Sequence, residues 1–112
     1  MLNIIEGRLT RNVTVETLTN GKKVANIQIA ENLRYTDKAG VKQKKTNFFT
    51  IKAWNKLAEA LQLNAGKGDL VKFRVNVKPN SYLNERKCEV INELKLTANR
   101  FKVIRRAGAN QN

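Results

Sequence analysis

Polar and apolar residues alternate along most of this chain, the two-residue period of strands with one buried face. In Leu2 to Thr10, one alternation carries Ile5, Gly7 and Leu9 and the other Leu2 and Ile4. Gly7 within that run predicts a bend or a close backbone approach, as at a barrel corner. Val13 to Leu18 continues extended, and Asn20-Gly21 is a strong signal for a tight hairpin turn. The next strand, Lys23 to Glu31, sets Ala25, Ile27 and Ile29 against Asn26 and Gln28. A long polar stretch follows from Asn32 to Thr46; Asp37-Lys38-Ala39-Gly40 reads as a turn, so an extended hairpin is an alternative to a loop.

Asn47 to Trp54 predicts a strand with two chemically distinct faces. Phe49, Ile51 and Ala53 lie on one side, and Phe48, Thr50, Lys52 and Trp54 on the other. Asn55 is the expected cap of a short helix through Leu63, with Leu57, Ala60, Leu61 and Leu63 turned inward. Ala65 to Asp69 ends it. Leu70 to Lys78 alternates Val71, Phe73, Val75 and Val77 with Lys72, Arg74, Asn76 and Lys78. Pro79-Asn80-Ser81 is expected to break that strand, Tyr82 to Lys87 to form a loop, and Cys88 to about Thr97 to form the last long strand. The expected fold is all-β: a five-stranded OB-type barrel with one short helix between the third and fourth strands.

Length and composition narrow the picture. The chain has 112 residues, room for one domain with one modest core. No apolar run is long enough to span a membrane as a helix, and the start lacks a secretory pattern, so a cytoplasmic, nucleoid-associated location is expected. Histidine is absent, which removes most zinc sites, imidazole acid–base chemistry and every Ser-His or Cys-His pair. The nine acidic residues are scattered singly, so neither a metal site nor an enzyme is expected, and no cofactor is implied. The single cysteine, Cys88, is expected to be a buried structural thiol. Twenty-two Lys and Arg give a net charge of +13, which points to a polyanionic partner.

Distribution decides which polyanion. The strand from Phe48 to Trp54 offers two aromatics beside Lys52 while its other face supplies the core. Exposed rings are unfavourable in water unless something flat covers them, and a nucleobase is flat. Between Arg34 and Lys56 stand seven basic residues (Arg34, Lys38, Lys42, Lys44, Lys45, Lys52, Lys56) and one acid, Asp37. Tyr35 sits among them, as Tyr82 sits near Arg86 and Lys87. The expected partner is single-stranded nucleic acid, with phosphates neutralised by Arg8, Arg34 and Lys52, by Lys42, Lys44, Lys45 and Lys56, and by Lys72, Arg74, Arg86 and Lys87.

These residues resemble the bacterial single-stranded DNA-binding proteins, from about Leu2 to Phe101. The likeness rests on Gly7-Arg8-Leu9-Thr10, on Asn20-Gly21 followed by Val24-Ala25-Asn26-Ile27, and on Phe48 to Trp54 running into Lys56-Leu57-Ala58-Glu59. It continues through Lys67-Gly68-Asp69-Leu70-Val71 and Ser81-Tyr82. The resemblance implies base stacking on Tyr35, Phe48, Trp54 and Tyr82, in service of replication, recombination and repair. It also implies a homotetramer whose first strand pairs between subunits, with Leu2, Ile4 and Glu6 as interface residues. The binding domain is expected over residues 1–104 and a short flexible tail over 105–112. Such proteins usually carry a tail with an acidic tip; this chain closes on basic and neutral residues, so recruitment of repair enzymes through such a tip is not expected of it. A dimeric primosomal protein of the same fold and an RNA-binding OB module are the alternative readings.

Overall fold

The alternating stretches form six strands and one helix in the computed structural model, which describes residues 2–108, with side chains from Asn3 onward. The elements are β1 (Leu2–Leu9), β2 (Val15–Thr17), β3 (Lys23–Thr36), β4 (Lys42–Trp54), α1 (Asn55–Asn64), β5 (Leu70–Asn84) and β6 (Glu89–Arg105). β1 runs antiparallel to β5 from Leu2 to Arg8, then meets β3 where Arg8 and Leu9 face Ala30 and Ile29. β2 continues along β3, so β1 and β2 are two limbs of one bent strand. β4 pairs with β3 along its whole length and, in parallel, with β6 at Ile51 and Lys52. β6 returns along β5 and closes the barrel. This is the expected five-stranded OB-type barrel, with the helix between β4 and β5.

The passage of β1 from β5 onto β3 depends on Gly7. A Cβ there would lie 2.8 Å from the Ala30 carbonyl oxygen, so only a residue without a side chain lets β1 cross β3 at this distance. The core is filled by the inward faces the alternation picked out: Ala25, Ile27 and Ile29, Ile51 and Ala53, Val71, Phe73, Val75 and Val77, with Leu96 and Ala98 from β6. α1 adds Ala58 and Leu61. Leu57 also packs against the core, but Leu63 is not inward; it is 84% exposed, outside the side on which Leu57, Ala58 and Leu61 meet the barrel. Asn55 does not cap the helix through its side chain. It takes a left-handed backbone (φ 53°), and its Oδ1 accepts from the Lys23 N–H at 3.1 Å, tying the helix start to β3. An ion pair from Lys23 to Glu59 reinforces the tie.

Two hairpins extend past the core. Pairing of β3 with β4 persists to Thr36 opposite Lys42, so the polar stretch is a regular hairpin arm. At its tip, Asp37 accepts from the N–H groups of Ala39 and Val41 and from Gln43 Nε2, with Gly40 at φ 81°. Those bonds, that from Gln43 foremost, hold the Asp37 carboxyl below its ordinary value of 3.8. The second arm corrects the expected break at Pro79. β5 continues through Pro79 to Asn84, paired with β6 to Glu89. Proline is tolerated because its place in the ladder lies on the exposed arm outside the core. Cys88, expected to be buried, is exposed in the turn of this arm at φ 51°.

β6 runs to Arg105, and Asp69 fastens Arg106 and Ala107 after it; the last part of the expected tail, 109–112, lies outside the described residues. The Asp69 carboxylate accepts from the Ala107 N–H at 2.7 Å and the Gly66 N–H at 2.9 Å, with Arg106 Nη1 3.7 Å away. The Ala107 bond is the main cause that keeps this buried carboxyl below 3.8.

Candidate nucleic-acid interface

Outward residues of β4 alternate with the core residues, so Lys42, Lys44, Thr46, Phe48, Thr50, Lys52 and Trp54 share one face. Across from them, β3 offers Thr36, Arg34, Asn32, Ala30, Gln28, Asn26 and Val24. Phe48 lies opposite Ala30, whose single methyl leaves the ring 63% exposed. Trp54, opposite buried Val24 at the helix start, is half-buried. Lys52 stands between the two rings, flanked by Asn26 on β3 and Thr97 on β6.

The face continues onto the second arm. Because Lys52 pairs with Thr97, the same alternation brings Lys95, Glu93 and Ile91 of β6 to this side. Opposite them on β5 stand Lys78, Asn80 and Tyr82. Tyr82 therefore shares the surface of Phe48 and Trp54, although it is far from them in sequence. Its ring is half exposed. Glu93, the acid in this part, is bonded to Asn80 Nδ2 at 3.0 Å. Lys78 and Lys95 were not among the expected contacts; the signal for them was the register of β6 on β5, which one strand's alternation does not carry.

Tyr35 is placed differently. The register sets it beside Gln43 on the reverse side of the first arm, where Leu33 and Lys45 also point. It is exposed, and with Arg34, Thr36, Lys42, Gln43 and Lys44 it lines a groove at the arm's tip. Arg86 and Lys87 are exposed in the turn of the second arm, and Lys56 is exposed on the first turn of α1. Arg8, Lys72 and Arg74 lie on another surface, the outward side of β1 and the first half of β5.

Between β1 and β4 the barrel leaves an apolar groove of about 540 Å³, with Phe48 and Ile4 on its rim and Val77 and Leu96 among its lining. Ile4 is 64% exposed and Glu6 is also outward; the side chain of Leu2, the third expected interface residue, is outside the described residues. No group of His, Cys, Asp and Glu able to hold a metal occurs among the described residues.

Residues 3–104 match the model of the single-strand binding protein family. The chain belongs to that family. Among curated relatives, the single-stranded DNA-binding protein of Aquifex aeolicus is 30% identical over 108 residues, covering 95% of this chain and 72% of the relative. The protein of the same name from Neisseria meningitidis is 29% identical, covering 87% of this chain and 59% of the relative. Solved structures of the family's fold agree. The small single-stranded DNA-binding protein of Streptomyces coelicolor superposes with a TM-score of 0.68 at 21% identity, over 92% of this chain and 93% of that one. A Plasmodium falciparum SSB, solved in complex with ssDNA, gives 0.73 at 20% identity, over 93% and 92%. The family is one of binding proteins, and no helix among the described residues is long and apolar enough to cross a membrane.

Proposed function

We propose that this protein binds single-stranded DNA without regard to sequence and shields it in replication, recombination and repair. The observation that carries this reading is one continuous outward face on which Phe48, Trp54 and Tyr82 alternate with Arg34, Lys42, Lys44, Lys52, Lys78 and Lys95, in a chain of the single-strand binding protein family. Bases stack on the rings and the cations neutralise phosphates. Every base has a π-face, so stacking of about 1–3 kcal/mol per base does not select sequence. Arg86 and Lys87 extend the face at the turn of the second arm, Lys56 adds a cation at the start of α1, and Tyr35 and Lys45 offer further contacts on the reverse side of the first arm. No step is catalytic and no cofactor takes part. The binding unit is taken as residues 1–104, and after it the Ala107 N–H is bonded to Asp69. Both alternatives, the primosomal protein and the RNA module, are less well supported by relatives that are themselves single-stranded DNA-binding proteins.

Self-association into a homotetramer through β1 is part of the proposal. From Leu2 to Gly7 the edge of β1 away from β5 carries no strand pairing among the described residues, and an open strand edge is a ready template for another strand. A soluble location beside the nucleoid follows from such a ligand.

Titration of labelled oligo-dT against duplex DNA of equal length at about 0.2 M salt tests the function, because salt suppresses purely electrostatic binding. The single strand is expected to bind more tightly and to quench Trp54 fluorescence. Equal or tighter duplex binding refutes the reading.

A further inference from the structure

β2 carries the outward side of β3 and β4 one strand further. Across the sheet, Glu16 lies opposite Val24, and Val24 lies opposite Trp54. In the neighbouring outward row, Lys52 lies opposite Asn26. Arg11, Asn12 and Thr14 of the β1–β2 connection, with Glu16, Val24 and Asn26, line a depression of about 300 Å³ beside the Trp54 ring. Its surroundings are tied down. Asn12 Oδ1 accepts from the Lys67 N–H at 2.7 Å, and next to Asn26 on this side of β3 the Gln28 Oε1 accepts from the Thr10 hydroxyl at 2.8 Å.

Glu16 and Asn26 are exposed, and neither side chain is bonded to another described residue. The ion pairs among the described residues are Lys23–Glu59 and Arg106–Asp69, so Glu16 has no cation of its own, even though Arg11 lines the same depression. In the outward rows of β2, β3 and β4 it is the one acid, among Arg34, Lys42, Lys44 and Lys52. A carboxylate repels phosphate and can only accept hydrogen bonds. Its place on a strand-binding face is therefore with the N–H groups of a base and not with the backbone.

We propose that Glu16 and Asn26 read the edge of the base stacked on Trp54 and favour cytosine and adenine over thymine there. On its pairing edge, each favoured base sets an exocyclic amino group beside a ring nitrogen that accepts. The amino group donates to the Glu16 carboxylate, and the Asn26 amide donates to the ring nitrogen. Thymine sets a carbonyl oxygen on each side of its one N–H, so an oxygen meets the carboxylate when it presents that edge. The backbones of Trp54 and Glu16 are two strand spacings apart, roughly 10 Å, which a base on the indole and the length of the glutamate side chain together cover. Arg11, exposed on the rim, is left for an adjoining phosphate. The inference rests on the proposed single-strand binding and refines it. Stacking stays indifferent to sequence, and one base position acquires a preference.

The test uses the full chain and two strands of equal length: oligo-dT, and the same strand with alternate thymines replaced by cytosine. At neutral pH both are unpaired, uncharged pyrimidines with similar stacking, so the ratio of affinities reports the edge. The parent is expected to bind the mixed strand about 5- to 10-fold more tightly, the lower part of the discrimination usual for one good base-edge contact. Glu16→Ala is expected to bring the ratio to about 1, while binding of oligo-dT holds or rises as a negative charge leaves the face. Glu31→Ala removes an acid from the reverse side of β3 and is expected to keep the ratio of the parent. A parent ratio near 1, a ratio that survives Glu16→Ala, or one lost equally in Glu31→Ala overturns the edge reading while the strand binding stands. A parent that binds neither strand overturns the binding itself, and the edge reading with it.

Discussion

Phe48 and Tyr35 are exposed aromatics only thirteen positions apart, yet the register sets them on opposite sides of the β3–β4 ladder. Phe48 faces outward over Ala30 in line with Lys52 and Trp54, whereas Tyr35 lies on the reverse side of the arm beside Gln43. Phe48→Ala is therefore expected to cost about 1–3 kcal/mol of oligo-dT binding, the usual loss for one stacked base. Tyr35→Ala is expected to cost less in the same titration, and equal losses would mean that the arm turns its reverse side to the strand. Gly7 sets a second expectation, in stability. Its Cα faces the Ala30 carbonyl so closely that Gly7→Ala must displace backbone, a strain of about 1–3 kcal/mol readable as a lower midpoint in urea unfolding. Both Gly7 and the Phe48–Trp54 face were legible in the sequence, since a glycine inside an alternating run and aromatics on the polar side each break a local rule. The reversed side of Tyr35 was not, because the polar stretch around it has no apolar period from which to count.

At the level of elements, the two arms and the residues just after β6 are held by polar bonds instead of core packing. Asp37 closes the first arm with three accepted hydrogen bonds on an exposed turn. Asp37→Ala is expected to speed amide exchange at the tip and to weaken single-strand binding while leaving global unfolding nearly unchanged, since no core residue lies there. Asp69 holds the other end. Its carboxyl is depressed when folded, so its contribution is complete above the unfolded value and fades as pH falls through the lower folded one. The stability difference between the parent and Asp69→Asn should thus be largest near neutrality and shrink below about pH 4, followed by thermal melts across that range. A difference unaltered by acid would mean that Asp69 acts by shape and not by charge. Asp37-Gly40 was readable as a turn from its residues. The continuation of β5 past Pro79 was not, because an exposed arm accepts a proline that a central strand would reject, and Cys88 moved to the surface with it.

On the scale of the molecule, net charge announced a polyanion but not where it would lie. Alternation in single strands exposed the aromatic face, while the cations clustered on the outward side of β1, β5 and the end of β6 depended on a bulge at Asn99 and on which strands neighbour β5, neither of which one strand reveals. The two faces bear on assembly. If β1 pairs with β1 of another copy, the sheet continues across the join and sets two copies of the Arg8, Lys72, Arg74, Arg100, Lys102 and Arg105 surface side by side. Repulsion between them opposes that pairing and is screened as the Debye length falls from about 10 Å at 0.1 M salt to about 3 Å at 1 M. A polyanion lying across both surfaces relieves it more directly, by direct neutralisation. Solution mass is therefore expected to rise with salt in the free protein and to rise at low salt when long oligo-dT is added. Arg100→Glu/Lys102→Glu, which turns much of the repulsion into attraction, should associate at low salt without DNA. Should the mass of the parent ignore both salt and oligo-dT, charge does not govern association at this edge.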